Sequence, residues 1–471
     1  MMLKKLFITL LLLAPFALFA AEEKIESPNI VLIFIDDLGY GDIASFGGSI
    51  PTPNLDKLAK EGRRFTDFAS SCPYCSPSRA AILTGALHAR IGIHNVLMAN
   101  SPIGLNPNEE TIAEVVKKKG YVAAAFGKWH VGDRKKWLPL NQGFDEYYGI
   151  PYSNDIGPDR SIPLYHGGLF IEGDKQVDVL DNAEKNDSLT ARYTERAIHF
   201  IEKNKDKPFF LYLAHNAVHT PLGVGEKFKD KTKYGKFGDD VFEMDWSVGE
   251  IVKTLDRLNL RKKTLVIFTS DNGPALAGRK DGGYDTTLRE GKGTVFEGGV
   301  REPTIFSQPG TIPEGTSTNQ FASTIDILPT VAAIIGAPLS GNKIDGKDIR
   351  DLIYGKENAV SQHETYPIYM RGKLLAIRDT RWKLIFPHKY NTSVPTGEVS
   401  PEGYPFHKQA TQELALYDLQ NDVGETKDVK AEHPEIVQKL QAAAESYLQR
   451  LGDGKQFGPE VRLPGKHVEE K

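Results

Sequence analysis

The chain has 471 residues, 40% of them hydrophobic and 25% charged, which places it among ordinary globular proteins with room for one large domain and a smaller one. Acidic residues number 62 against 58 basic ones, a net charge of −4 that argues against nucleic acid as the main partner. Only two cysteines, Cys72 and Cys75, are present, so the fold is not a disulfide scaffold.

In chain order, residues 1–20 open with Lys4 and Lys5, continue through an apolar stretch from 6 to 19, and reach Ala20 and Ala21 before the charged Glu22-Glu23-Lys24. That is the pattern of a cleaved secretory signal peptide and predicts an exported protein, periplasmic or secreted. An uncleaved anchor is the alternative, but the stretch is short for a bilayer span, and no later segment is apolar for long enough. Stable membrane association is therefore not expected.

Four short apolar runs, at 30–35, 121–126, 209–214 and 265–269, read as strands buried on both faces. Amphipathic helical patterns at 111–119, 188–203 and 245–258 lie between or beside them. The alternation predicts an α/β fold with a large mixed, mostly parallel sheet flanked by helices. Each of the four runs leads into polar, reactive residues: Asp36-Asp37, then Gly127-Lys128-Trp129-His130, then His215 and His219, then Ser270-Asp271-Asn272. Ligands in open α/β sheets bind outside the carboxyl ends of the strands, so one rim receives carboxylates, a lysine and histidines.

After about residue 365 the character changes. Strands are expected at 374–378 and 381–386, joined at Asp379-Thr380, and at 416–419. A helix over 434–451 starts at Pro434 and aligns Ile436, Leu440, Ala443, Tyr447 and Leu451 on one face. These predict a smaller α+β subdomain with an antiparallel sheet, dividing the chain into a leader at 1–20, a catalytic domain at 24–365 and a C-terminal subdomain at 366–471. The polar, Gly/Pro-rich stretch 388–412 reads as a long surface loop, and the tail beyond Gly452 as irregular.

Cys75-Ser76-Pro77-Ser78-Arg79 is followed by Ala80-Ala81-Ile82-Leu83-Thr84-Gly85. Pro77 presets φ for a first helical turn, which places Cys75 at a helix N-terminus. Such an end offers free N–H groups and a partial positive charge to a tetrahedral anion, and Arg79 adds a permanent cation. The competing reading is a structural or redox C-x-x-C pair in Cys72-Pro73-Tyr74-Cys75, which leaves Ser78, Arg79, Thr84 and Gly85 unexplained. Asp36, Asp37, Asp271 and Asn272 offer only oxygen, the donor set of a hard cation such as Ca²⁺ or Mg²⁺ rather than Zn²⁺. Calcium suits a crowd of carboxylates better, whereas either pair taken alone reads more readily as a turn or a helix cap. With no cation, three carboxylates so close would have raised pKa values.

The run from Cys75 to Gly85 resembles the C-x-P-S-R-x-x-x-x-T-G signature of the type I sulfatases, in the group of arylsulfatase A and N-acetylgalactosamine-6-sulfatase within the alkaline phosphatase superfamily. Further likenesses cover nearly the whole mature chain: the segment 29–39 around Asp36-Asp37, the segment 269–273 around Asp271-Asn272, Gly127-Lys128-Trp129-His130-Val131-Gly132, the segment 216–221 around His219, the segment 291–299 around Lys292, and the segment 149–155 around Ser153. The resemblance implies an alkaline phosphatase-like fold and a formylglycine made from Cys75 by a formylglycine-generating maturation enzyme. It implies a calcium ion held by Asp36, Asp37, Asp271 and Asn272 together with the modified Cys75, and Cys75, Arg79, Lys128, His130, His219 and Lys292 as catalytic residues. Lys128, Ser153, His219 and Lys292 would contact substrate. In the implied mechanism a hydrated aldehyde attacks sulfur, His219 protonates the leaving group, and His130 takes the proton that lets sulfate depart by C–O cleavage. His215 has no assigned role and is read as structural.

The expected substrate is a sulfated saccharide, a carrageenan-type galactan or glycosaminoglycan fragment, with ring recognition from the segments 152–168, 273–288 and 388–412. A phosphate or phosphonate monoester hydrolase of the same superfamily is the rival enzyme. A saccharide-binding relative without catalysis would be expected to lack Cys75, Arg79 or a metal ligand, and a thiol redox protein would carry a Cys72–Cys75 disulfide.

Overall fold

In the computed structural model the described residues are 27–159, 161, 166–276, 288–399 and 405–467. The leader at 1–20 lies outside them, as do parts of the predicted recognition segments. The core is a ten-stranded mixed sheet of β1 (Asn29–Ile35), β2 (Arg63–Phe65), β3 (Val122–Lys128), β4 (Glu146–Ile150), β5 (Gly168–Glu172), β6 (Lys175–Leu180), β7 (Phe209–Ala214), β8 (Thr264–Ser270), β9 (Thr304–Ser307) and β10 (Thr316–Thr318), in the order β10-β2-β9-β8-β1-β7-β3-β4-β5-β6. The five central strands β8-β1-β7-β3-β4 run parallel, with Asn29 opposite Thr264 and Ile30 opposite Phe210. The fold class matches the expectation, including its mixed character, which comes from the antiparallel β9 on one side and the β5–β6 hairpin on the other.

Burial of the central strands on both faces explains their unbroken apolar runs. Along β1, Ile30, Leu32 and Phe34 join one core while Val31, Ile33 and Ile35 join the other. Helices α1 (Cys75–Thr84) and α2 (Ile112–Lys117) close the first face, and α3 (Leu189–Lys203) and α4 (Gly235–Arg257) the second. Thr111 caps α2 in a capping box with Glu114. Helix α4 begins ten residues before the expected 245. Its first turn is masked in the sequence by Gly235 and Gly238, but Asp239 anchors it by accepting the backbone N–H of Asp230, Lys231 and Thr232 at 2.7, 3.0 and 2.7 Å.

The C-terminal region forms the expected separate antiparallel sheet, from β11 (Tyr366–Met370), β12 (Lys373–Arg378), β13 (Trp382–Ile385) and β16 (Ala415–Asp418), with α5 (Pro434–Leu451) packed on it. Leu440, Ala444 and Leu451 of α5 are buried there. The stretch 388–412 corrects the expected loop: β14 (His388–Val399) and β15 (Pro405–Gln412) pair as an antiparallel ribbon. Cross-strand pairing overrides the Gly/Pro-rich composition that marked it as a loop. In the tail, Gly465 and Lys466 pair with Gly104 and Ile103, fastening the end of the chain to the large domain. The subdomain shares a core with Ala81 and Leu87 and with Val295, Phe296 and Val300, so it abuts the segments that carry Cys75 and Lys292.

Candidate active site

The carboxyl ends of five parallel strands meet the N-terminus of α1. Strand β1 delivers Asp36 and Asp37, β8 delivers Asp271 and Asn272, β3 ends on Lys128 with His130 just beyond, β4 leads to Ser153, and β7 leads to His219. Cys75 is the first residue of α1, and Tyr74 precedes it in extended conformation. The helix stops at Gly85, left-handed at φ 66°, whose N–H bonds the carbonyl of Ala81. Lys292 arrives on a segment stitched to this corner by Lys292 N–H to Pro274 O at 2.9 Å and Gly293 N–H to Pro73 O at 3.0 Å.

The predicted residues converge and are buried, except Lys292, which is partly exposed. One oxygen from each of Asp36, Asp37 and Asp271 lies within 4.8 Å of the others, and an Asp36 oxygen, the Cys75 sulfur and a His219 nitrogen form an equally tight second group. Lys128 Nζ donates to Asp36 Oδ2 and, at 3.2 Å, to Ser153 Oγ. Lys292 Nζ stands 2.7 and 2.8 Å from the two oxygens of Asp37. Arg79, fully buried, donates through Nε to Asp271 at 2.8 Å and through Nη1 to the Lys128 carbonyl at 2.9 Å; its Nη2 is 3.6 Å from Asp36. Its guanidinium lies over the Phe34 ring at 5.3 Å. Arg79 thus ties the Asp271 carboxylate to the end of the Lys128 strand.

These cations divide the carboxylates electrostatically. Burial pushes the carboxyls up, but at Asp36 the charges of Lys128, His219, Arg79 and Lys292 outweigh it and hold the group well below the usual range. Asp271 behaves as the bare-carboxylate argument expects: burial and the neighbouring Asp36 raise it despite Arg79 and Lys128. The expectation of a raised value thus holds at Asp271 and fails at Asp36, because a lysine reaches it.

The donor set fits a hard cation. Asp36 Oδ1 and Asn272 Oδ1 are buried and accept no hydrogen bond, while Asn272 Nδ2 is engaged by Asp37 Oδ1 at 2.7 Å. An unused acceptor on one of three clustered carboxylates and another on the adjoining Asn272 are what an oxygen-coordinated ion requires.

The histidines differ in state. His130 is 1% exposed; burial, with Lys128 and Arg79 nearby, drives its pKa well below the ordinary value, so it is neutral. Its Nε2 pairs with the carbonyl of Leu97 at 3.0 Å and so carries the hydrogen, leaving the unpartnered Nδ1 with the lone pair. Leu97 is itself held by its N–H to Ser76 Oγ at 3.0 Å, so the Cys75 helix sets the orientation of His130 through a segment that no motif in the sequence pointed to. His130 and Asp37 both sit in left-handed backbone, at φ 60° and 59°, a cost concentrated at the site. His219 Nδ1 donates to the Thr220 carbonyl, which turns Nε2 toward Asp37 Oδ2 at 3.7 Å. His215 is buried against Ser247 Oγ at 3.0 Å and held near pKa 3 by burial, in keeping with its structural reading.

The thiols oppose a redox role. Cys72 and Cys75 are both free and buried, and burial pushes both thiols up, away from the thiolate that disulfide exchange requires.

Comparison with known proteins places this geometry. Residues 28–337 match the sulfatase family model, and 361–462 match the C-terminal region of aryl-sulfatase. Human (Homo sapiens) arylsulfatase A is 40% identical over 443 residues, covering 88% of this chain and 86% of that protein. N-acetylgalactosamine-6-sulfatase of Canis lupus familiaris is 38% identical over 382 residues, 77% of this chain and 72% of that protein. The solved structure of Ps i-CgsB in complex with k-i-k-neocarrahexaose superposes with a TM-score of 0.75 at 29% identity, covering 92% of this chain and 95% of that one. With both family models matched in order along the chain and the buried rim assembled from the segments of the first, this protein belongs to the sulfatase family and is a hydrolase of sulfate esters.

Proposed function

We propose that this sulfatase removes sulfate from a sulfated saccharide, using a formylglycine made from Cys75 by a maturation enzyme and a calcium ion held by Asp36, Asp37, Asp271 and Asn272 beside position 75. The observation that carries the reading is the convergence of Cys75, Lys128, His219 and Lys292 on that oxygen-lined cluster. A hydrated aldehyde would supply the paired hydroxyls that a thiol lacks. The ion would add positive charge where Arg79, Lys128 and Lys292 otherwise only balance three carboxylates, leaving a surplus suited to an anionic ester.

The chain's own groups have matching roles. Lys128 and Lys292 hold the sulfuryl oxygens, and Ser153, bonded to Lys128, orients that ammonium and lines the pocket. His219, as an imidazolium with Nδ1–H held on the Thr220 carbonyl, presents Nε2–H to the leaving oxygen and gives up that proton, while His130 accepts a proton at Nδ1. Arg79 fixes the carboxylate frame through Asp271. A saccharide substrate is supported by the neocarrahexaose bound to the structural relative. The leader at 1–20 would export the chain to the periplasm or medium, with 24–365 as catalytic domain and 366–471 as subdomain. Among the described residues no helix is long and apolar enough to cross a membrane.

The test is expression with and without a maturation enzyme. Active protein should carry a Cys75 peptide about 18 Da lighter than the cysteine form, release sulfate faster than phosphate from matched aryl esters, and lose activity to a calcium chelator. Full turnover by the plain thiol, or dominant phosphate release, would defeat this reading.

A further inference from the structure

Beside the reaction centre lies a cavity of about 220 Å³ to which Tyr74, Gly293, Arg371, Lys389, Tyr390 and Gln409 contribute. Two of these are chain neighbours of the site: Tyr74 precedes Cys75, and Gly293 follows Lys292. The others come from the C-terminal subdomain. Arg371 and Gly372 form the turn between β11 and β12, both left-handed at φ 50° and 79°. That turn aims the Arg371 side chain back across the domain boundary, where Nη2 donates to the Tyr74 hydroxyl at 3.2 Å and the guanidinium stands 5.5 Å from the ring centroid. Gly293, at φ 80°, is packed so closely under Tyr74 that an added Cβ would lie 2.9 Å from its hydroxyl. The opposite wall is the ribbon, with Lys389 exposed and Tyr390 anchored edge-on against Phe296 at 5.1 Å.

The charge here is uncompensated. No acidic side chain among the described residues pairs with Arg371 or Lys389, although most other arginines of the site and the domain boundary are bound to carboxylates. A tethered guanidinium has four further donors, and an exposed ammonium three. Between them an aromatic wall offers a face for the apolar side of a sugar ring.

Resting on the saccharide reading above, we propose that this cavity is a second sugar subsite. It takes the residue next to the one bearing the scissile ester and reads an anionic group on it, sulfate or carboxylate, through Arg371 and Lys389, with Tyr74 as the stacking surface. The protein would then favour an oligosaccharide with a second negative charge over one with the scissile sulfate alone.

The experiment compares kcat/KM of the matured enzyme on three disaccharides bearing the same scissile sulfate, beside a neutral sugar, a second sulfated sugar or a uronic acid. The wild type is expected to prefer one of the dianionic compounds, and which one identifies the group read. Arg371→Ala should lower that preference by about tenfold to a hundredfold, through KM, with Lys389→Ala weaker and Arg371→Lys partly restoring it. Raised salt should erode the wild-type preference. Should Arg371→Ala fold poorly, Arg371→Gln and the exposed Lys389→Ala carry the same comparison. Hydrolysis of all three compounds without preference, or an unchanged preference in the variants, overturns the subsite alone. Turnover of a small aryl sulfate with no disaccharide hydrolysis defeats the saccharide reading and the subsite with it.

Discussion

At the residue scale, the site works by giving similar groups different environments. His130 and His219 lie at the same rim, yet one is a buried neutral ring with an unpartnered Nδ1 lone pair and the other turns Nε2 toward a carboxylate. The pairing with Leu97 decides the tautomer of His130, so its role depends on which nitrogen is available as well as on its pKa. We expect His130→Ala to lower kcat by about a hundredfold to ten-thousandfold, with intact fold by circular dichroism. His130→Gln should not restore activity, since an amide accepts no proton at neutral pH. Activity within tenfold of the wild type would remove His130 from the chemistry. Cys75 illustrates the same dependence on surroundings: burial raises its thiol and makes it a poor nucleophile, which supports the proposal that another group replaces the sulfur.

Helix α4 shows how an element far from the chemistry responds to pH. Asp240 and Glu243 are buried on it; Glu243 Oε2 accepts the Gly225 N–H at 2.6 Å while Oε1 has no hydrogen-bond partner. Burial raises Glu243 to about 7, and burial with Glu243 alongside raises Asp240 well above its ordinary value. For an acid raised on folding, the native state holds more protons than the unfolded chain between the two pKa values. Stability is therefore full below the unfolded pKa and falls as pH climbs toward the folded one. Glu243→Gln, a mimic of the protonated acid, should retain about 1–3 kcal/mol that the wild type loses between pH 4.5 and 8. Urea unfolding at both pH values reads this directly, and identical slopes for the two proteins would refute it.

Across the whole molecule, the subdomain is joined to the catalytic sheet by a buried ion network. Glu297, five residues beyond Lys292, accepts from Arg301 Nε at 2.6 Å and Lys383 Nζ at 3.0 Å. Lys383 also stands 2.9 Å from Glu425, and Arg378 grips Asp67 with two bonds at 2.6 and 2.9 Å. Arg378, Lys383 and Glu425 belong to the subdomain; Asp67, Glu297 and Arg301 to the large domain. Lys383 is fully buried, so Lys383→Met leaves two carboxylates short of a cation and should cost about 3–5 kcal/mol. The Lys292 segment hangs from the same glutamate, so a rise in KM should accompany the loss. A denaturation midpoint equal to the wild type's would show that the network does not fasten the two parts.

The sequence by itself determined the parallel core, because strands buried on both faces must be apolar throughout, and it singled out the candidate site residues, because their motifs sit where those strands end. Helix α4's early start and the 388–412 ribbon escaped it, since Asp239's backbone bonds and the cross-strand partners are set by three-dimensional neighbours. Only the tertiary structure decided how the charges are shared: Lys128 on Asp36, Lys292 on Asp37, Arg79 bridging Asp36 and Asp271, and Leu97 selecting the tautomer of His130. It likewise brought Arg371 to Tyr74 across 297 residues of chain. Electrostatics in a buried site falls off with distance in space, and spacing along the chain does not encode that distance.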